Sequence, residues 1–257
     1  MHQDTQKMID KVEQRTGYKV SVGSGSDFSG YAQMITATPQ NPIHVINVNQ
    51  NYSHIGDYVV ALQCAMILAK WTDPKKIPNF VVNEEKANYQ IDKCANNKKL
   101  ASIPSDTAQQ FAKTIVKGLI HQLLSLPIEM IAIDICRKEC PNLNNIMKTA
   151  LNNEIQELHQ SLEPRIKQMT PEDIFEKNAA MNAAFTLNWS RISGDEHILV
   201  PFKTVEVLDK GRELLKVYDD IAKTDAQRYT KIVDGWADKL KMNTLYTWKF
   251  RDETNDA

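Results

Sequence analysis

The chain has 257 residues, with 31 Lys and Arg against 32 Asp and Glu, a formal net charge of -1, so no one-sided field points to nucleic acid or an anionic membrane. Its 42% hydrophobic and 25% charged residues are the usage of a globular protein rather than a disordered one, and 9 Gly with 10 Pro are few for a turn-rich all-β sandwich. No apolar run reaches the roughly 18 residues of a spanning helix, and the opening MHQDTQKMIDKVEQRTGYKV lacks the apolar middle of a secretory signal. Cytoplasmic residence is therefore expected.

In chain order, Gln3 to Arg15 predicts an amphipathic helix carrying Met8, Ile9 and Val12 inward and ending at Gly17. Tyr18 to Val22, Ala32 to Thr38 and Ile43 to Val48 alternate as strands. Together they predict a small antiparallel sheet over 18–48, with the Gly- and Ser-rich stretch after Val22 as a hairpin connection. The segment 55–71 is apolar from Tyr58 to Ala69 except at Gln63, which predicts a buried helix. Asp73-Pro74 and Ile77-Pro78 break the pattern, and Asn83 to Asn97 reads as a polar helix or loop.

From Ser105 the chain reads as a helical body over 105–250. Ser105 to Leu126 is one helix, Pro127 opens a second that runs to Cys140, and Leu143 to Met169 is a third, bent near Pro164. Thr170-Pro171-Glu172-Asp173 predicts a helix start with a hydroxyl cap, and that helix stops before Gly194. Helices over Thr204 to Ala222 and Ala226 to Leu240 follow, with a frayed tail from Arg251. Trp236, Tyr246, Trp248 and Phe250 suit either pinning a terminal helix to the core or binding a partner. No repeat or clean boundary divides 1–257, so a single α+β domain, mostly helical, is expected.

Cys64, Cys94, Cys136 and Cys140 are too scattered for a disulfide framework. Cys136 and Cys140, four apart, share a helical face and suit buried core positions or a two-thiolate site. The six His are dispersed, with His54 and Asp57 spaced for a local pair. No Walker loop, Rossmann fingerprint or GxSxG elbow is present, so no cofactor is expected. Lys and Arg alternate with acids in the later helices, which reads as a solvated face.

A strand, a short loop and a buried helix is the layout in which zincins place HExxH, two His one turn apart on zinc with a Glu acting on the bound water. Aligned on it, Leu62 stands for the first His, Gln63 for the Glu and Met66 for the second His. The segment from Ile43 to Leu68 resembles the strand and active-site helix of bacterial HExxH metallopeptidase-like proteins of the ImmA/IrrE group. The shared letters are Ala61, Cys64 or Ala65, Ile67 and Leu68. The resemblance implies a zincin-like core, with Glu129 as a relic of the third metal ligand that such proteins take from a later helix. All three catalytic letters depart from the pattern, so it implies no peptidase activity and no bound metal. Leu62 and Met66 equally suit a plain core helix, and Glu129 equally suits the first turn after Pro127.

Two functions of different class follow. One is a catalytically inactive zincin-like protein that binds a protein or peptide partner, without nucleic acid or membrane. The other is an enzyme whose site lies near His121, Glu129 and Asp134.

Overall fold

The computed structural model describes residues 1–73 and 77–251, so Pro74 and the tail beyond Arg251 lie outside it. The chain divides into two compact units that interleave in sequence. The first comprises Met1–Asn79, Ile128–Asn152 and Phe250–Ala257, the second Phe80–Pro127 and Asn153–Lys249. The sequence carries no sign of this division, because one helix supplies residues to both units.

The first unit opens with α1 (Gln3–Thr16), which Gly17 closes, followed by β1 (Lys19–Gly25), β2 (Ala32–Ile35) and β3 (Ile43–Asn49). The strand order is β1-β3-β2, with β1 parallel and β2 antiparallel to β3. The sheet is therefore mixed rather than antiparallel. The Gly- and Ser-rich stretch is no hairpin: it must cross two strand spacings, about 10 Å, to leave room for β3 between its ends. Alternation along β3 buries His44, Ile46 and Val48 on one face. A short 3-10 helix, Gln50–Ile55, then leads into α2 (Gly56–Lys70), the buried helix expected over 55–71.

β4 (Ile77–Val82) and α3 (Glu84–Ala95) precede α4 (Ser105–Glu139), a single helix with Pro127 inside it where the sequence suggested two. An interior Pro gives up one backbone bond and costs about 3 kcal/mol. Here Leu123, Leu126, Ile128, Met130, Ile131 and Ile133 are buried on both sides of it, and their burial offsets that cost. Among the described residues α4 is the one helix long and apolar enough to cross a membrane, and 61% of its apolar window is buried inside the protein.

The remaining elements are α5 (Asn144–Gln160), α6 (Pro164–Met169), α7 (Glu172–Ser193), α8 (Val200–Thr204), α9 (Leu208–Asp220), α10 (Arg228–Leu240) and β5 (Tyr246–Arg251). The helix expected over Leu143 to Met169 thus breaks before Pro164, where the preceding residue is driven out of the helical region. α7 begins after Pro171 with no side-chain cap, so Thr170 does not serve the expected role, and Gly194 closes the helix at φ +77°. In the second unit α7 and α9 pack closely: a Cβ on Gly211 would lie 2.6 Å from the Ala183 Cβ. Trp236 is buried on α10, but Tyr246, Trp248 and Phe250 belong to strand β5, which pairs with β4. Phe80 stacks on Tyr246 at 4.4 Å, and Asp234 Oδ1 accepts from the Tyr246 hydroxyl at 2.6 Å and Trp248 Nε1 at 2.8 Å.

His44 is fully buried in the first unit. Its Nδ1 accepts from Ala37 N at 3.0 Å, its Nε2 lies 3.1 Å from Thr16 Oγ1, and Trp71 meets its ring edge to face at 5.2 Å. Burial pulls the imidazole down to about 4 from 6.5. A depressed histidine folds neutral, so its stabilisation is intact above the unfolded value and is lost as pH falls from about 6.5 toward 4. Urea unfolding of wild type should therefore lose about 2 kcal/mol between pH 7 and 5. His44→Gln should lose much less over that interval, and equal losses would contradict the burial of a neutral imidazole.

Candidate functional site

Successive residues of a helix are turned by about 100°, so the flanks of α2 can be assigned from its contacts. Toward the sheet lie Val60, which borders a cavity with Val22 and Val48, and Trp71 just past the helix, against His44. Toward α1 lie Asp57 and Leu68. Asp57 Oδ1 accepts from His2 N at 2.6 Å and Thr5 Oγ1 at 3.1 Å. Leu68 borders a surface cavity of about 480 Å³ with Lys11, Gln14 and Arg15. At the far end of α1, Arg15 donates to Trp71 O at 3.1 Å and Thr72 O at 3.0 Å. α1 and α2 therefore run side by side in the same direction. Asp57 is engaged by His2 and Thr5, and the expected partner His54 is exposed.

On the third flank lie Gln63, Met66 and Lys70, all half-buried, while Leu62 is buried one step further round. Partial burial pulls the Lys70 ammonium below its usual value. The sequence expectation that both Leu62 and Met66 are core residues thus holds for Leu62 and only partly for Met66.

Glu129 sits in the interior of α4 rather than in a first turn, because α4 is continuous, and it is half-buried. It shares a helical stripe with Ile133, Cys136 and Cys140. The thiols of that stripe neighbour Cys64, which on α2 points about 160° away from both Leu62 and Met66. Asp134 is half-buried and stands about 140° around α4 from Glu129, and His121 is exposed on the part of α4 that belongs to the second unit. Among the described residues no three His, Cys, Asp or Glu side chains are grouped to hold a metal ion.

All four cysteines are buried and free. Cys140 Sγ donates to Asp4 O at 3.8 Å. The bond from Cys136 holds the Cys140 thiol below its usual range and drives Cys136 well above, while burial pushes Cys64 up to about 12. Cys136 and Cys140 thus occupy buried core positions, one of the two readings their spacing allowed.

A second concavity, about 400 Å³, lies where β1 and β3 end beside the head of α2. Val22, Val48 and Val60 give it an apolar wall, and Ser24, Ser53 and Asp57 add polar groups. The carboxyl ends of parallel strands are where open α/β sheets hold ligands. Sequence reasoning passed over this place, because the signal was parallel pairing of β1 with β3 and the expected sheet was antiparallel.

No family model, curated protein or solved structure matches the chain.

Leu62→Ala should lower stability by about 2 to 4 kcal/mol, as a core truncation does, and Met66→Ala by about 1 kcal/mol, because the thioether is already partly solvated. Denaturant unfolding of the two variants checks this, and equal losses would place both residues in the core.

Proposed function

We propose that this chain is a degenerate, catalytically inactive zincin-like protein that acts by binding a protein or peptide partner along the Gln63, Met66 and Lys70 flank of α2. The observation that carries the reading is the passage from β3 through one short 3-10 turn into a buried helix with Leu62, Gln63 and Met66 at its centre. Leu62 has no donor atom. The Met66 thioether is a soft, neutral ligand unsuited to a hydrolytic zinc site. The Gln63 amide does not titrate near neutral pH and cannot take a proton from water. The same three positions that would carry hydrolysis therefore carry packing and a half-open surface. A thioether beside an amide and an aliphatic amine stem adapts to irregular partner surfaces. The interleaved charges favour a protein partner over nucleic acid or membrane.

Elemental analysis and peptide hydrolysis test the inactive half of this reading: purified protein should carry no stoichiometric zinc and show no chelator-sensitive cleavage. One zinc per chain with such cleavage would overturn it. For the binding half, peptides selected from a random array on wild-type protein should lose binding to Met66→Glu while that variant stays folded by circular dichroism at the assay temperature. Peptides indifferent to Met66→Glu and Gln63→Ala would refute this surface.

A further inference from the structure

His44 Nδ1 accepts from Ala37 N at 3.0 Å, so that nitrogen is bare and the neutral ring keeps its proton on Nε2. Nε2 faces Thr16 Oγ1 at 3.1 Å. The Thr16 hydroxyl spends its own proton on Val12 O at 2.9 Å and accepts from Tyr18 N at 3.2 Å, so it receives the Nε2 proton as well. Both ring nitrogens are therefore satisfied in the neutral form. A second proton would sit on Nδ1 and point at the Ala37 N–H, two donors with no acceptor between them. Neither group reaches water, since His44 and Ala37 are both 0% exposed.

The ring is covered by Thr16 and Tyr18 where α1 passes into β1, by Val20 beside it in the sheet, by Ala37, and by Trp71 past the end of α2. The one titratable group among these is the Tyr18 phenol, whose ring stands 6.0 Å away, edge to face. The charged side chains next along the same elements are Glu13, Arg15, Lys19, Lys70 and Asp73. Glu13 is held by Lys19 and Val20 N, Arg15 by the carbonyls of Trp71 and Thr72, and burial is the one cause that moves the imidazole. No carboxylate therefore steadies an imidazolium in place. Ala37 itself lies in the connection from β2 to β3. The ladder of those strands ends at the Ile35–Val45 pair, Pro39 to Pro42 are exposed, and the turn closes on itself through Thr38 N to Asn41 O at 2.9 Å and Asn41 N to Thr38 O at 3.0 Å. Lifting residues 36–42 as a unit breaks no bond of the ladder. It also brings water to Trp71 Nε1, a buried donor with no acceptor among the described residues.

We infer that His44 is an acid-sensitive latch: a proton taken from water onto its Nδ1 releases the 36–42 connection while β1, β3 and α2 stay folded, and uncovers the rings of Tyr18 and Trp71 beside an imidazolium. The open form binds one proton more than the closed form between the ordinary histidine value of 6.5 and the buried one of about 4. Opening therefore grows about tenfold for each unit that pH falls across that window.

Native-state hydrogen exchange on the full chain, read at the amides of Ala37 and of Ile46 in the central strand and corrected for the intrinsic pH dependence of exchange, tests the latch. Ala37 should open about tenfold more for each unit between pH 6 and 4.5, and throughout about a hundredfold or more above Ile46. His44→Asn keeps an acceptor for the Ala37 N–H on a side chain that does not titrate, so its Ala37 opening should stay within about twofold over the same range. Nitrogen-15 spectra of the wild-type imidazole should show the proton on Nε2 at pH 7. Ala37 and Ile46 opening together would overturn the inference, as would a proton on Nδ1 at pH 7 or an unchanged pH slope in folded His44→Asn. The two wild-type measurements decide the matter even where that variant does not fold.

Discussion

A helix with almost no polar side must be covered on nearly every side, and α2 imposes that constraint on the first unit. Tyr58, Val59, Val60, Ala61, Leu62, Cys64, Ala65, Ile67 and Ala69 are all buried. Its single strong polar foothold at the start, Asp57, is taken by His2 and Thr5 of α1. Arg15 reaches the carbonyls past its end. A guanidinium on those carbonyls also answers the negative end of the helix dipole. α1 is thereby clamped along α2 at both ends.

From that clamp the rest of the unit follows. α1 occupies one flank and the inner face of β3 another, so the cover is least complete at Gln63, Met66 and Lys70. The end of α4 and the turn after it join α1 through the Lys11–Glu139 ion pair and the bond from Asn142 N to Asp4 Oδ2 at 3.1 Å. Since residue 139 meets residue 11 and residue 142 meets residue 4, the chain runs there against the direction of α1. The Cys136 and Cys140 thiols are buried by this junction, which explains why two cysteines one turn apart serve packing. Among the described residues, the Gln63, Met66 and Lys70 flank of α2 and the concavities at Leu68 and Val60 are surface the first unit has left to offer.

Much of this was readable in the residues. α2 announced itself because a run apolar in every direction has no other home than an interior, and α1, β1, β3 and α7 announced themselves by periodicity, Gly17 and Gly194. Strand order was not readable: alternation identifies strands, but nothing in the linking residues 26–31 says that β3 inserts between β1 and β2. Pro127 misled because a local rule about proline was outweighed by apolar neighbours whose burial only tertiary structure reveals. β5 was missed although Tyr246, Trp248 and Phe250 alternate with polar residues, a period of two that the expectation of a terminal helix obscured. For the site, spacing picked out Leu62, Gln63 and Met66. That Glu129 lies inside one continuous helix and not in a first turn depends on the burial of the apolar residues around Pro127, which spacing along the chain does not encode.

The account rests on α2 as the element that the first unit is built around, and native-state hydrogen exchange tests this most directly. If α2 is the element that the other parts of the unit pack around, the amides of residues 58–69 open only when the whole unit unfolds. Their opening free energies should then equal one another and the unfolding free energy measured in urea. Exchange of these amides through a local opening about 2 kcal/mol or more below that value, while β3 stays protected, would contradict the account.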